Sequence, residues 1–197
     1  DPALLTGEGK YTNDLNIPGA LHLAVLRSPY AHAKIISIDT SAAKALPGVI
    51  AVYTGAELAS EWAGPMPCAW PVTPDMKNPA HYPLAVSKVC YVGDGVVAIL
   101  ATNETASRDA LDLVDVQYEP LKAVVDVEEA LKDNIIIHDE LGTNKSYTWN
   151  LKIEATEGCV EDAFQKAAFK VSERYVQQRL LPMAMEPRAV AAVPQPF

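Results

Sequence analysis

The sequence contains few of the residues that bind transition metals. Its four histidines are far apart and form no HxH or HExxH pattern, and its three cysteines form no CxxC pair. Closely spaced ligands of these types mark zinc sites, so we predict no metal bound by this chain. An odd number of widely spaced cysteines suggests buried free thiols in a reducing cytoplasm. These residues are His22, His32, His81 and His138, with Cys68, Cys90 and Cys159.

Positive charge and long apolar runs are also scarce. Lys and Arg number 16 against 25 Asp and Glu, giving a net charge of -9 and a pI near 4.9. Binding to phosphates requires clustered basic residues, so no nucleic acid partner is expected, and an anionic membrane surface is disfavoured. No apolar run of about 18 residues predicts a membrane span, and no signal segment opens the sequence. We therefore expect a cytoplasmic protein.

What the chain does contain is a pattern typical of one or two globular domains. Apolar residues make up 49% of its 197 residues, enough for a buried core. Short β-rich runs alternate with capped helical segments, which predicts an α+β fold. Predicted strands are 20–26, 34–38, 49–53, 86–92, 96–101, 114–118, 135–137, 170–178 and 189–193. Predicted helices follow caps at 39–41, 54 and 103 or 105, and two more span 127–131 and 160–168.

Two segments between these elements have a distinct composition. Residues 61–83 hold six prolines, which predicts a long ordered loop or surface excursion. Trp62, Trp70 and Tyr82 suggest that it packs against some other part of the protein. Gly93-Asp94-Gly95 separates two predicted strands, which favours a hairpin or another tight bend. A soft domain boundary is predicted between residues 120 and 135.

Residue patterns that would mark catalysis are not evident. The Gly7-Glu8-Gly9 run follows no strand and lacks a third glycine, so a dinucleotide loop is excluded, and there is no GxSxG. The pairs Glu128-Glu129 and Glu161-Asp162 each open a predicted helix, where carboxylates stabilise the helix dipole. Glu186 lies among apolar residues near Arg188, which favours a structural ion pair over a catalytic acid. We therefore name no catalytic, cofactor-binding or metal-binding residue.

Several longer motifs occur in a fixed order along the chain. Together they resemble the large subunit of the aldehyde oxidase/xanthine dehydrogenase family, the molybdenum hydroxylases, and the last one resembles the carbon monoxide dehydrogenase-type branch. The motifs are GEGKYTND (7–14), PGALH (18–22), RSPYAHAKI (27–35), PGVIAVYTG (47–55), VCYVGD (89–94), VDVQYEPL (114–121) and QRLLPMAMEPR (178–188).

The resemblance implies an α/β hammerhead domain over residues 6–120 and the beginning of the first molybdopterin-binding domain over 121–197. It implies an enzyme that oxidises carbon monoxide, an aldehyde or an N-heterocycle with a molybdopterin cofactor. The implied partners are the rest of the molybdenum-cofactor subunit and iron–sulfur and FAD subunits. The family's glycine-rich loop, active-site glutamine and catalytic glutamate are expected beyond Phe197. The active-site cysteine loop of true carbon monoxide dehydrogenases is absent from this sequence. No cofactor is expected on this chain alone.

Three functional hypotheses follow. The first is a fragment or split subunit of a molybdenum hydroxylase, active only with its remainder. The second is a stand-alone binding or assembly module that reuses the hammerhead domain. The first predicts exposed apolar side chains around residues 175–193, and the second a polar surface there. A third, an independent enzyme with a site in the 61–83 loop, is disfavoured because that loop lacks convergent titratable groups.

Overall fold

The computed structural model describes residues 2–68, 70–150 and 159–194. Residues 19–150 form one compact unit, and the described residues before and after them belong to a second unit. The first unit contains two antiparallel three-stranded sheets with short helices between the strands. Its strands are β1 (His22–Arg27), β2 (Ala33–Asp39), β3 (Val49–Thr54), β4 (Lys88–Val89), β5 (Gly95–Ala101) and β6 (Asp115–Pro120).

Sheet A has the strand order β1-β5-β3, with β5 in the centre. The centre strand reads GVVAILA, with small or apolar residues throughout, as expected of a strand that lies between two others. Ile99 pairs with Ala24 of β1 and with Val52 of β3. Sheet A therefore assembles strands that are distant in sequence. The strand β5 was predicted, but its central position in the sheet could not be predicted from the local sequence pattern.

Sheet B has the order β4-β2-β6. Lys34 of β2 pairs with Glu119 of β6, and Ile35 pairs with Tyr118. Polar and apolar residues alternate along both strands, the pattern of a sheet with one face on the core and one in solvent. The Lys34–Glu119 ion pair, 3.1 Å between Nζ and Oε1, lies on the exposed face.

The core lies between these elements and is built mainly from β5. Val96, Val97 and Ile99 are completely buried and pack with Val52 and Val89. Side chains from the short helices complete it, with Ala43 and Ala110 also fully buried. The helices of this unit are α2 (Ser41–Ala45), α3 (Gly55–Leu58), α4 (Glu104–Asp109) and α5 (Val127–Ala130), together with 3-10 turns at Ala110–Leu113 and Asp139–Leu141.

The helix caps predicted at Thr54 and Asn103 are confirmed, whereas Thr40, the N-cap of α2, makes no side-chain capping bond. Thr54 accepts a hydrogen bond from the Glu57 backbone amide, while the Glu57 carboxylate accepts from the Thr54 amide, a complete capping box. Asn103 caps α4 by accepting from the Ala106 amide at 2.8 Å. Asp126 caps α5 by accepting from the amides of Glu128 and Glu129, which confirms that this acidic pair opens a helix.

The predicted hairpin around Gly93 is wrong, whereas the tight bend is confirmed. The strands on either side of this bend belong to different sheets, β4 to sheet B and β5 to sheet A. The bend carries the chain from one layer to the other, and Gly93 adopts a φ of 93° there. Composition gave the turn correctly, but only the long-range pairing decides whether its flanking strands meet.

The strand predicted at 135–137 is also wrong. Side-chain groups bind its peptide groups in place of a neighbouring strand. Asn144 accepts from the Ile137 amide and donates to the Ile135 carbonyl, and Lys88 donates to the Ile137 carbonyl. A run of isoleucines therefore satisfies its backbone locally, without joining a sheet.

The Pro-rich segment is a loop, as predicted, tied across its width by one backbone bridge between Met66 and His81. Trp62 stacks on Tyr82 with ring centroids 5.1 Å apart, which confirms that part of the loop packs on itself. Trp70, by contrast, is 88% exposed, so the prediction that it packs down is wrong.

The second unit contains α1 (Pro2–Thr6), a 3-10 turn at Thr12–Asp14 and α6 (Cys159–Lys166). The helix predicted at 160–168 is confirmed, with Glu161 and Asp162 in its first turn. The strands predicted at 170–178 and 189–193 are wrong, because residues 167–194 form neither helix nor strand. No helix within the described ranges is long and apolar enough to cross a membrane.

Candidate functional site

One cavity of the 19–150 unit lies between the Pro-rich loop and the segment that leads into β5. It encloses about 640 Å³, within the range of about 300–1,000 Å³ typical of small-molecule pockets. Pro67, Cys68 and His81 form one wall, and Cys90 and Asp94 lie on the other. This cavity was missed from the sequence, since its walls come from a loop without regular pattern. The bridge between Met66 and His81 is what forms the first wall.

Several titratable groups of the cavity already contact other protein groups. Lys88 donates to the Ile137 carbonyl at 2.7 Å and to Asp139 at 2.8 Å, and the Lys88 ammonium holds the pKa of Asp139 below its usual value. His138 lies 3.5 Å from Glu140. Buried Asp94 accepts from the Cys90 amide at 3.1 Å. Such groups hold the local backbone together and leave little free to bind a ligand.

Cys90, one of the two cysteines of this cavity, is not an activated nucleophile. Burial raises the pKa of the Cys90 thiol, although the nearby Lys88 acts to lower it. A thiol with a raised pKa is mostly protonated near neutral pH and reacts slowly. Cys68 is an exposed free thiol and Cys90 is half-buried, so the predicted burial is wrong for Cys68. The side chain of Cys159 lies outside the described part of the chain.

Two of the sequence motifs meet at a buried turn beside this cavity. The Ser28 amide donates to the Asp94 carbonyl and the Gly93 amide donates to the Ser28 carbonyl, both at 2.8 Å. Arg27 donates from Nη1 to the Gly93 carbonyl at 2.9 Å. The RSPYAHAKI and VCYVGD motifs therefore hold each other in place, and their polar residues have structural partners.

A third motif is joined through His32, which is buried. Its Nδ1 lies 2.8 Å from the Lys122 carbonyl, and its own carbonyl accepts from the Leu121 amide at 2.9 Å. These bonds hold the chain where it leaves β6. The Nε2 atom is buried without a hydrogen-bond partner within the described residues.

Glycines in the PGVIAVYTG motif also have structural roles. Gly55 is buried, and a Cβ there would collide with the carbonyl oxygen of Ala85. Gly48 has a φ of 93°, and a Cβ there would lie 3.2 Å from both Ala106 and Thr102 side-chain atoms. This motif therefore requires residues that permit close packing of the chain.

Glu186, which we predicted to form a buried ion pair, is exposed, as is Arg188. Within the described ranges no ion pair joins them. The prediction was wrong because it assumed that the apolar residues around Glu186 would be buried, and they are exposed as well. We assigned no catalytic role to Glu186 from the sequence, and its exposed position gives no reason to assign one.

The residues that line this cavity do not fit a metal or a molybdopterin. No group of three His, Cys, Asp or Glu side chains among them could hold a metal ion. A molybdopterin carries phosphate, which needs unpaired cations or backbone amides. The cavity offers Asp94 and Glu140, which repel an anion, while Lys88 is already paired with Asp139. We therefore derive no chemical step through such a group here.

Two antiparallel sheets with short capped helices define a mixed α and β domain. The family model for the aldehyde oxidase and xanthine dehydrogenase a/b hammerhead domain matches residues 6–122. The chain belongs to this family.

Known proteins are similar over most of the chain. The 6-hydroxypseudooxynicotine dehydrogenase complex subunit gamma of Paenarthrobacter nicotinovorans is 36% identical over 100% of this chain and 24% of its own length. The carbon monoxide dehydrogenase large chain of Afipia carboxidovorans is 32% identical over 91% of this chain and 23% of its own length. Quinoline 2-oxidoreductase from Pseudomonas putida 86 has 39% identity and a TM-score of 0.65, covering 72% of this chain and 18% of that chain.

These similarities support the family resemblance stated from the motifs. A further relative, from Escherichia coli O157:H7, is named a xanthine dehydrogenase molybdenum-binding subunit, and the first relative is named a subunit of a dehydrogenase complex. The chain spans about a quarter of the length of the curated relatives it matches.

Proposed function

We propose that this chain is the N-terminal part of the molybdenum-cofactor subunit of a molybdenum hydroxylase and is not catalytic alone. The observation that supports this most directly is the identity of 36% over the whole chain to a subunit about four times as long. The complete enzyme would oxidise carbon monoxide, an aldehyde or an N-heterocycle. We keep these substrate classes together because the chain is about equally similar to two relatives with different substrates. It is 32% identical to the carbon monoxide dehydrogenase large chain and 36% identical to the 6-hydroxypseudooxynicotine dehydrogenase subunit.

The proposal extends to domains, cofactor and partners. Residues 6–120 form the hammerhead domain, and 121–197 begin the first molybdopterin-binding domain. The cofactor is held by the remainder of the subunit, and electrons leave through iron–sulfur and FAD subunits. In support, Lys88 beside the cavity of the 19–150 unit is already paired with Asp139, and the carboxylates of Asp94 and Glu140 repel an anion.

Exposed apolar side chains favour this proposal over a stand-alone assembly module. Residues 175–193 include large apolar side chains with more than two thirds of their surface exposed. The surface of a complete soluble protein rarely exposes so many large apolar side chains in one segment, because contiguous apolar patches bind other surfaces. They are Tyr175, Val176, Leu180, Leu181, Met183, Met185, Val190 and Val193.

The test is the molybdenum and molybdopterin content of two purified proteins, the 197-residue chain and the complete polypeptide encoded by its gene. The second is also assayed for dye-linked oxidation of carbon monoxide, aldehydes and N-heterocycles. We expect metal and activity only in the complete polypeptide with its partner subunits. Stoichiometric cofactor on the 197-residue chain, or a complete polypeptide that lacks molybdenum, contradicts the proposal.

A further inference from the structure

Two of the three cysteines line the cavity of the 19–150 unit from facing walls. Cys68 lies on the wall formed by the Pro-rich loop, and Cys90 lies on the wall that leads into β5. Both are free thiols. They are 22 positions apart in the sequence, so only the fold brings them to one cavity. The proposed function makes no use of this pair of thiols.

Contacts around the cavity show that the two walls come close together at one end. His81, on the loop wall, contacts Tyr91, which directly follows Cys90, with ring centroids 5.9 Å apart. The pKa of Tyr91 is raised first by burial, then by Asp94, and more weakly by Cys68. Because electrostatic effects weaken with distance, this influence requires Cys68 to lie near the Tyr91 side chain. The Cys68 thiol is therefore near the segment that carries Cys90.

The part of the Pro-rich loop that carries the first of these thiols is held at its two ends. Met66 pairs with His81 at one end, and Lys77 exchanges hydrogen bonds with Ser146 at the other. Between these ties, the described residues of 67–76 make no backbone-to-backbone hydrogen bond outside their own segment. None of their side chains belongs to the core cluster. This segment can therefore move toward the cavity without breaking a sheet or disturbing the core.

We propose that Cys68 and Cys90 form a redox-sensitive clasp, in which a disulfide between them closes the Pro-rich loop onto the cavity. A disulfide requires Cα atoms about 4.4–6.8 Å apart, so the bond draws the two walls of the cavity together. The dithiol form leaves the cavity open. The cavity is therefore open under reducing conditions and closed under oxidising ones. This inference is independent of the proposed function.

The oxidant for this step is a low-molecular-weight disulfide. The exposed Cys68 thiol loses its proton and attacks one sulfur of that disulfide, which leaves a mixed disulfide at Cys68 and releases the other half as a thiol. Cys90 then attacks the Cys68 sulfur, and its proton goes to the second departing thiolate. Two protein thiols and one small disulfide thus become one protein disulfide and two small thiols. Burial raises the pKa of Cys90 and slows the second step, but attack within one molecule offsets part of that loss.

The experiment equilibrates the 197-residue chain, with Cys159→Ser, in mixtures of oxidised and reduced glutathione. Remaining thiols are blocked with N-ethylmaleimide, and tryptic peptides are mapped without reduction. Lys77 and Lys88 lie between the two remaining cysteines, so trypsin places these cysteines in separate peptides. We expect the two peptides to be joined within single chains in the oxidising mixtures. Only free thiols or glutathione adducts at every ratio, or a disulfide between two chains, overturns the proposal.

The closure of the cavity is measured by the reaction of its histidine with diethylpyrocarbonate, resolved by position with mass spectrometry. His81 lines the cavity, and His22 on β1 is exposed and does not line it, so His22 is the matched control. We expect the oxidised chain to react about fivefold or more slowly at His81 and within about twofold of the reduced chain at His22. The Cys68→Ser variant should show no such slowing in the same oxidising mixture. Equal reactivity of His81 in both redox forms overturns the closure.

Discussion

Residues 95–101 and residues 170–178 are both rich in β-forming side chains, yet only the first segment is a strand. In β5 each backbone edge faces another strand, β1 on one side and β3 on the other. Residues 170–178 form no strand in the described structure, and Val171, Tyr175 and Val176 are more than three quarters exposed. A strand forms only where neighbouring strands bind its peptide groups. Its own sequence determines its β-propensity but not whether such neighbours are present.

The largest effect expected from this difference is in hydrogen exchange. Amides of β5 should exchange only when the 19–150 unit opens, while those of 170–178 should exchange as in an unfolded peptide. The rates should differ by a factor on the order of 1,000 or more. Exchange followed by mass spectrometry of peptic fragments measures both segments in one sample. Strong protection of 170–178 in the 197-residue chain would break the comparison.

Sequence reasoning performed well where the signals are local. The helices capped by Thr54 and Asn103 were predicted correctly because each cap is completed within three residues. The helix at 127–131 was also predicted, although its cap, Asp126, was not. The strands β1, β2, β3 and β6 were also found, each within a few residues of its bounds. Their apolar patterns are strong enough to be read without knowing their neighbours.

The failures have a common cause in contacts between distant residues. The hairpin at Gly93 failed because β4 pairs with β2 and β5 pairs with β1 and β3. The run at 135–137 failed because Asn144 and Lys88 bind its peptide groups. The cavity beside Asp94 was missed because the Pro-rich loop forms one of its walls. None of these partners can be inferred from local composition.

Two substitutions, one in the core and one at an exposed residue, should differ clearly in their effect on the free energy of unfolding. Ile99→Ala empties a fully buried site in β5 and should lower the free energy of unfolding by about 2–5 kcal/mol. Leu181→Ala, at a side chain 83% exposed, should change it by less than about 0.5 kcal/mol. Urea unfolding followed by tryptophan fluorescence measures both, because all three tryptophans lie within residues 19–150. Similar losses for the two variants would contradict the assigned burial.

A smaller effect is expected at a tightly packed glycine. Gly55→Ala places a Cβ against the Ala85 backbone and should destabilise the 19–150 unit by about 1–3 kcal/mol. Gly64→Ala is the matched control, because nothing lies within 4 Å of a Cβ there. The control should be neutral or stabilising by up to about 1 kcal/mol, since alanine restricts the unfolded chain. A neutral result for Gly55→Ala would show that the Ala85 segment can move aside.

The smallest effect concerns stability in acid. It compares a carboxylate of the 19–150 unit with a carboxylate of the 167–194 segment. Hydrogen bonds from the Thr54 amide and hydroxyl lower the pKa of Glu57 below its ordinary value of 4.5, with Lys44 as a weaker cause. Because the folded-state pKa is the lower one, this stabilisation is present above about pH 4.5 and is lost as the pH falls through the folded pKa.

Glu57 is largely exposed, so screening should keep its contribution below about 1 kcal/mol. Glu57→Gln should therefore lower stability slightly at neutral pH and flatten the decline measured by urea unfolding between pH 5 and pH 3. Glu186→Gln, at an exposed carboxylate of the 167–194 segment, should leave that decline unchanged. An equal flattening by both variants would mean that the Thr54 capping box does not set the acid response, and that the carboxylates of the two regions contribute alike.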